Sequence, residues 1–140
     1  MRVDDLEAFE AVAASFAAEL QPGDVVALEG ELGAGKTTFV AAVVRALHGR
    51  DETTSPTFTF RHTYAGVPTL EHLDLYRLEE PAEAVELGLD DAFSPQSIAF
   101  VEWAERLPGI LPPGTLHVRI RGSGDAPREL EISRPEHSRQ

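Results

Sequence analysis

The sequence has 140 residues, of which 42% are hydrophobic and 26% charged, a balance that suits one globular domain with a real core. It contains no Cys, which excludes a disulfide framework and any thiolate metal site. A formal net charge of −12 argues against unaided binding to nucleic acid, because phosphate neutralisation requires a basic face. No apolar run approaches the roughly 20 residues that span a bilayer. The acidic stretch Met1 to Leu6 lacks the basic and apolar regions of a signal peptide, so a cytoplasmic location is expected.

In chain order, Asp4-Asp5-Leu6-Glu7 reads as a capping box, with Asp4 as N-cap and Glu7 three residues on. Leu6, Phe9, Val12, Ala13, Phe16 and Leu20 then follow helical spacing. After the turn Pro22-Gly23-Asp24, the unbroken apolar run Val25 to Leu28 predicts a strand buried on both faces, as in a parallel sheet. A glycine-rich turn over Gly30 to Gly35 leads into a second helix, from about Lys36 to Leu47, that stops near Gly49. Ser55 to Tyr64 and Thr69 to Leu75 read as strands joined by the turn Ala65 to Pro68. Pro81 can open a helix through Leu87. Ile98 to Val101 is a second buried strand, and Leu116–Ile120 with Leu130–Ile132 form a terminal hairpin around Gly122-Ser123-Gly124-Asp125.

Gly30-Glu31-Leu32-Gly33-Ala34-Gly35-Lys36-Thr37 matches G-x-x-x-x-G-K-[ST] in full, after a strand and before a helix. Glycines let successive amides turn inward as an anion nest, and the following helix offers its positive end. The nest covers Gly33, Ala34, Gly35, Lys36, Thr37 and Thr38 and points to a nucleoside triphosphate with Mg²⁺. Lys36 is the only lysine in the chain and would reach the β- and γ-phosphates; the Thr37 hydroxyl would ligate the metal. The bland alternative is a glycine-rich turn that binds nothing.

Such a site needs an acid at the end of a neighbouring strand. Glu102 follows the buried run Ile98 to Val101, and Asp74 lies in the more alternating His72-Leu73-Asp74-Leu75-Tyr76. The apolar pattern favours Glu102, yet either carboxylate could be a surface charge or a cap. The hydroxyl-rich Thr53-Thr54-Ser55-Pro56-Thr57-Phe58 could order around a γ-phosphate as a switch, or be a Ser-Pro turn. Trp103, the only tryptophan, beside Glu102, could meet the nucleotide or a partner, although core burial is commoner for such a ring. The five histidines show no close metal-ligand spacing and read as structural or exposed. The acidic stretch Glu79 to Glu86 reads as a solvated helix face.

Taken in order, Gly30 to Thr38, Ser55-Pro56-Thr57-Phe58, His72 to Leu78 and Val101-Glu102-Trp103 resemble the bacterial TsaE (YjeE) family, the ATPases of tRNA threonylcarbamoyladenosine synthesis. The resemblance implies a P-loop NTPase-like α/β domain over residues 1–134, with a central, mostly parallel sheet flanked by helices, antiparallel hairpins, and a disordered tail at 135–140. It implies ATP and Mg²⁺, Thr37 and Glu102 near the metal, and Lys36, Asp74 and Glu102 as catalytic residues. It suggests a nucleotide-sensing switch formed by Thr57 or its neighbours. It also implies a TsaB–TsaD assembly that transfers a threonylcarbamoyl group to tRNA, which this chain would meet only through those partners.

A small-molecule or nucleoside kinase is the rival reading. It usually needs a basic lid, and Leu78 to Ser97 contains no Lys or Arg. A GTP switch usually reads guanine with Asn-Lys-x-Asp, and the chain has no Asn. A third rival is an adaptor that binds nucleotide without cleaving it. Arg77 and Arg106 are the candidates for an arginine finger, although neither is obvious as one.

Overall fold

The sheet begins earlier than the apolar pattern predicts. Arg2–Val3 forms a two-residue strand, β1, too short to register as a period. Helix α1, Leu6–Ala17, is then capped by Asp5 rather than the expected Asp4: the Asp5 carboxylate accepts the Ala8 amide at 2.8 Å. Asp4 instead accepts Arg2 Nε at 2.8 Å. With the cap one residue later, Glu7 no longer occupies the position from which a capping box closes. The computed structural model describes residues 1–31, 33–49, 61–76, 78–80, 82–83, 89–107 and 109–134.

The two apolar runs form the middle of the sheet. Val25–Glu29 (β2) pairs in parallel with Ser97–Glu102 (β5), whose six residues are all buried. Between them in the chain come α2, Lys36–His48, and the antiparallel pair Arg61–Tyr64 (β3) and Thr69–Asp74 (β4). Leu116–Arg121 (β6) and Arg128–Ser133 (β7) form the expected hairpin. The order across the seven described strands is β1-β7-β6-β2-β5-β4-β3. Its four central strands run parallel and its edges antiparallel. Of the helix predicted from Pro81 through Leu87 only Ala82 and Glu83 are described, and both are helical; its other residues, the segment Ser55 to Phe58 with Thr57, Arg77 and the tail 135–140 lie outside the described residues.

Strand side chains alternate between faces. Val26, Leu28, Ile98, Phe100, Leu116 and Val118 meet α1 and α2 in the larger core. Val25, Leu73, Ala99 and Val101 face the other way, against Leu75, Leu78, Ala92 and the half-buried Trp103. Both described helices therefore cover the same face. The opposite face is closed by short turns, including the 3-10 turns Leu89–Ala92 and Ala104–Arg106. Phe39 of α2 is fully buried, with the rings of Phe9 and Phe16 each 5.8 Å away centre to centre. That contact anchors the first turns of α2, and so the loop before it, to α1.

Truncating this anchor creates a cavity that the sheet cannot collapse to fill. Phe39→Ala should lower unfolding free energy by about 3–5 kcal/mol in urea titration. A loss below about 1 kcal/mol would mean that the three-ring cluster does not hold α2.

Candidate functional site

The loop leaves β2 at Glu29 and enters α2 at Lys36. Gly35 caps that helix with φ 111°, a conformation closed to L-residues, and Gly33 turns at φ 84°. The turn brings Lys36 back beneath the loop. Its ammonium donates to the Gly30 carbonyl at 2.5 Å and lies 3.6 Å from the centre of the Trp103 ring. Lys36 is only 5% exposed. Burial holds its ammonium below the usual lysine range, against the opposing pull of Glu102, Glu105 and Asp74.

Parallel register sets the acids beside the loop. Leu28 and Asp74 both align with Glu102 across the sheet. Glu102 ends β5 and is buried, with 2% exposure. The Thr37 hydroxyl donates to its two carboxylate oxygens, at 3.0 and 3.3 Å. His72 Nε2 lies 2.5 Å from the Glu102 oxygen nearer to Thr37. Asp74 is half-buried, and its carboxylate accepts the Tyr76 amide at 3.1 Å. Burial raises its carboxyl above the usual range; the Tyr76 amide opposes the shift and the charge on Glu102 reinforces it.

These residues share one cleft of about 270 Å³, lined by Gly33, Gly35, Lys36, Thr37, Thr38, Asp74, Tyr76, Glu102 and Trp103. Ala34 is buried alongside it, and Leu32 lies outside the described residues. The cleft thus brings Gly33, Gly35, Lys36, Thr37 and Thr38 of the loop together with both candidate acids, while Ala34 lines a separate cavity. A second cavity of about 330 Å³ opens on the far side of the loop, beside Ala34, Gly35 and Thr38. Val3, Leu6 and Phe9 give it an apolar wall, and Asp125 of the β6–β7 turn and Arg128 at the start of β7 also line it.

Three side chains at the cleft escape sequence reasoning in part or whole. His72 was grouped with the structural or exposed histidines; it is 1% exposed and holds Glu102. Its alternation with Leu70 and Asp74 along β4 was the available signal, since residues two apart share a face. Trp103 is half-buried and, alone among the described non-glycine residues, has positive φ, at 61°. That backbone turns its ring back over Lys36. Tyr76 packs against Trp103 in a tilted pair, with ring centres 5.0 Å apart at an angle of 53°. Arg106 covers Tyr76 at 5.3 Å, on the rim of the site rather than on Lys36 or Thr37.

The donor set fits a hard cation. A threonine hydroxyl and a carboxylate in contact offer oxygen ligands, which Mg²⁺ prefers; His72 holds the carboxylate oxygen nearer to Thr37, and the other oxygen carries only the longer Thr37 contact. The glycine-bent loop over a buried ammonium fits a polyphosphate.

Residues 3–130 match the family model described as "Threonylcarbamoyl adenosine biosynthesis protein TsaE". The chain is 43% identical over 128 residues to the tRNA threonylcarbamoyladenosine biosynthesis protein TsaE of Bacillus subtilis, covering 91% of this chain and 80% of that one. It is 37% identical over 114 residues to the TsaE of Treponema pallidum, covering 81% and 84%. The crystal structure of YdiB from Bacillus subtilis superposes with a TM-score of 0.74 at 39% identity, over 93% of this chain and 80% of that one. With a family model over nearly its whole length and relatives well above a third identical, this chain belongs to the TsaE family.

Proposed function

We propose that this chain is the Mg²⁺-dependent ATPase of a tRNA threonylcarbamoyladenosine machinery, acting in the cytoplasm with a TsaB–TsaD type assembly. The carrying observation is the contact between Thr37 and Glu102, 65 residues apart, beside a buried lysine in a glycine-bent loop. Among the described residues no helix is long and apolar enough to cross a membrane. An acidic chain of net charge −12 leaves tRNA to its partners.

In this reading the phosphates take the amides of Gly33 and of Gly35 to Thr38, while the Ala34 amide is held by the Glu31 carbonyl at 3.0 Å. Lys36 gives up its bond to the Gly30 carbonyl and follows the charge that develops on the transferred phosphoryl group. Thr37 and Glu102 would hold Mg²⁺, which supplies charge neutralisation on the phosphate oxygens. Asp74, held by the Tyr76 amide at the opening of the same cleft, orients the attacking water. Glu102 is satisfied by two neighbours and is the less free of the two acids. The nucleoside lies in the second cavity, against Phe9 and Leu6, because that cavity adjoins the loop at Thr38 rather than at Lys36. Among the described residues no arginine contacts Lys36 or Thr37, so hydrolysis is slow until a partner completes the site.

The direct test is phosphate release from γ-labelled ATP with and without purified TsaB–TsaD. Label should appear as free phosphate, faster with the partners. Label on a metabolite would make the chain a kinase, and no release under any condition would leave a nucleotide-binding adaptor. Lys36→Ala should weaken ATP binding by roughly 10- to 150-fold, the loss of a charge-assisted contact worth about 1.5–3 kcal/mol, with the circular dichroism of the fold unchanged. Unchanged ATP affinity would move the site elsewhere. Glu102→Gln keeps the shape but removes the charge and turns one of the two acceptor oxygens into a donor. It should slow partner-stimulated release by about 10- to 100-fold and raise the Mg²⁺ concentration needed for half-maximal rate. Normal turnover with normal Mg²⁺ dependence would remove Glu102 from the mechanism.

A further inference from the structure

One guanidinium joins two walls of the second cavity. Arg128 Nε donates to the Ala34 carbonyl of the phosphate loop at 2.8 Å. Its Nη1 donates to the Ala126 carbonyl at 2.5 Å and its Nη2 to the Gly124 carbonyl at 3.2 Å, both in the β6–β7 turn. Arg128 opens β7 and pairs with Val3 of β1, so strand, turn and loop meet at this residue. The turn is shaped around the arginine stem. A Cβ on Gly122 would lie 3.1 Å from Arg128 Cδ and 2.6 Å from the Pro127 carbonyl. A planar fork with donors in several directions can bridge three carbonyls; a lysine ammonium on a flexible stem cannot hold the same geometry. Nothing in the phosphoryl chemistry above requires this residue.

We infer that Arg128 is a positioning residue for the nucleoside. It latches the β6–β7 turn to the phosphate loop and so sets the width of the cavity of about 330 Å³ between that turn and the Val3–Phe9 wall. This rests on the nucleotide reading of the site. Without the latch, the turn loses its tie to Ala34 and the cavity opens on one side. The phosphate nest keeps its own supports, which are the Ala34 amide bond to the Glu31 carbonyl at 3.0 Å and the Phe39 amide bond to the Gly35 carbonyl at 2.8 Å. The loss therefore falls on the nucleoside and spares the phosphates.

Calorimetry with Mg²⁺ present, comparing ADP with inorganic tripolyphosphate, separates the two parts of the ligand. The wild-type chain should prefer ADP. Arg128→Ala should lose about tenfold in ADP affinity and stay within about twofold for tripolyphosphate. Arg128→Lys should recover only part of the loss. If Arg128→Ala fails to fold, Arg128→Lys carries the test, since it keeps the stem and the charge but not the fork and should show the same selective loss in smaller degree. Unchanged ADP affinity in the folded variants, or equal losses for the two ligands, would overturn the latch. A wild-type chain that binds tripolyphosphate as tightly as ADP would instead refute the nucleoside cavity itself, before any variant is compared.

Discussion

A buried carboxylate organises this site. Glu102 sits at 2% exposure at the end of a central strand, where an unpartnered carboxylate would be strongly unfavourable. It is tolerated because Thr37 and His72 converge on it from the helix after the phosphate loop and from the neighbouring strand. Three remote segments of the chain are thereby fixed to one another within hydrogen-bond distances. Removing either neighbour leaves part of that carboxylate unsatisfied, so the contacts that orient the acid also define where α2 begins relative to the sheet.

That arrangement depends on strand register, and register depends on apolar pattern. Val25 to Leu28 and Ile98 to Val101 are buried on both faces, so neither strand can slip by one residue without sending its side chains to the wrong layer. With β2 and β5 fixed, Glu102 falls beside Leu28 and Asp74, at the edge where the loop departs. Parallel sheets place their strand ends together, which is why residues distant in sequence arrive at one cleft.

The same reasoning explains what was legible beforehand. The phosphate loop, the two buried strands and the terminal hairpin each carry a local signal several residues long, and the mostly parallel sheet follows from them. A two-residue strand such as β1 carries no period, and it forms only because β7 is there to pair with it. Asp4 and Asp5 are chemically alike, so only the backbone geometry decides which one caps α1. His72 looked like any histidine because its meaning lies in its neighbour on another strand. Asp74 and Glu102 could not be ranked by role from sequence, since both end adjacent strands; their difference in burial and partners is a product of packing. Trp103 was visible as a residue but not as a ring folded over Lys36, because that requires its positive φ.

Charge supplies the last constraint. Lys36, the only lysine, feels Glu102, Glu105 and Asp74 together. In the proposed reading a polyphosphate entering this cleft would meet more negative than positive charge from the side chains around it, and backbone amides carry only partial charges. A divalent cation held by Thr37 and Glu102 would offset that excess and let the phosphates and the acids occupy one small space. The buried ammonium is prepared for the same exchange. Its present partners are a neutral carbonyl and an aromatic face, both weaker than a phosphate oxygen, so the protein gives up little when Lys36 turns from Gly30 and Trp103 toward an anion. Trp103 under that ammonium, Tyr76 tilted against Trp103, and Arg106 over Tyr76 form a row of ring contacts from the buried lysine to the rim of the cleft.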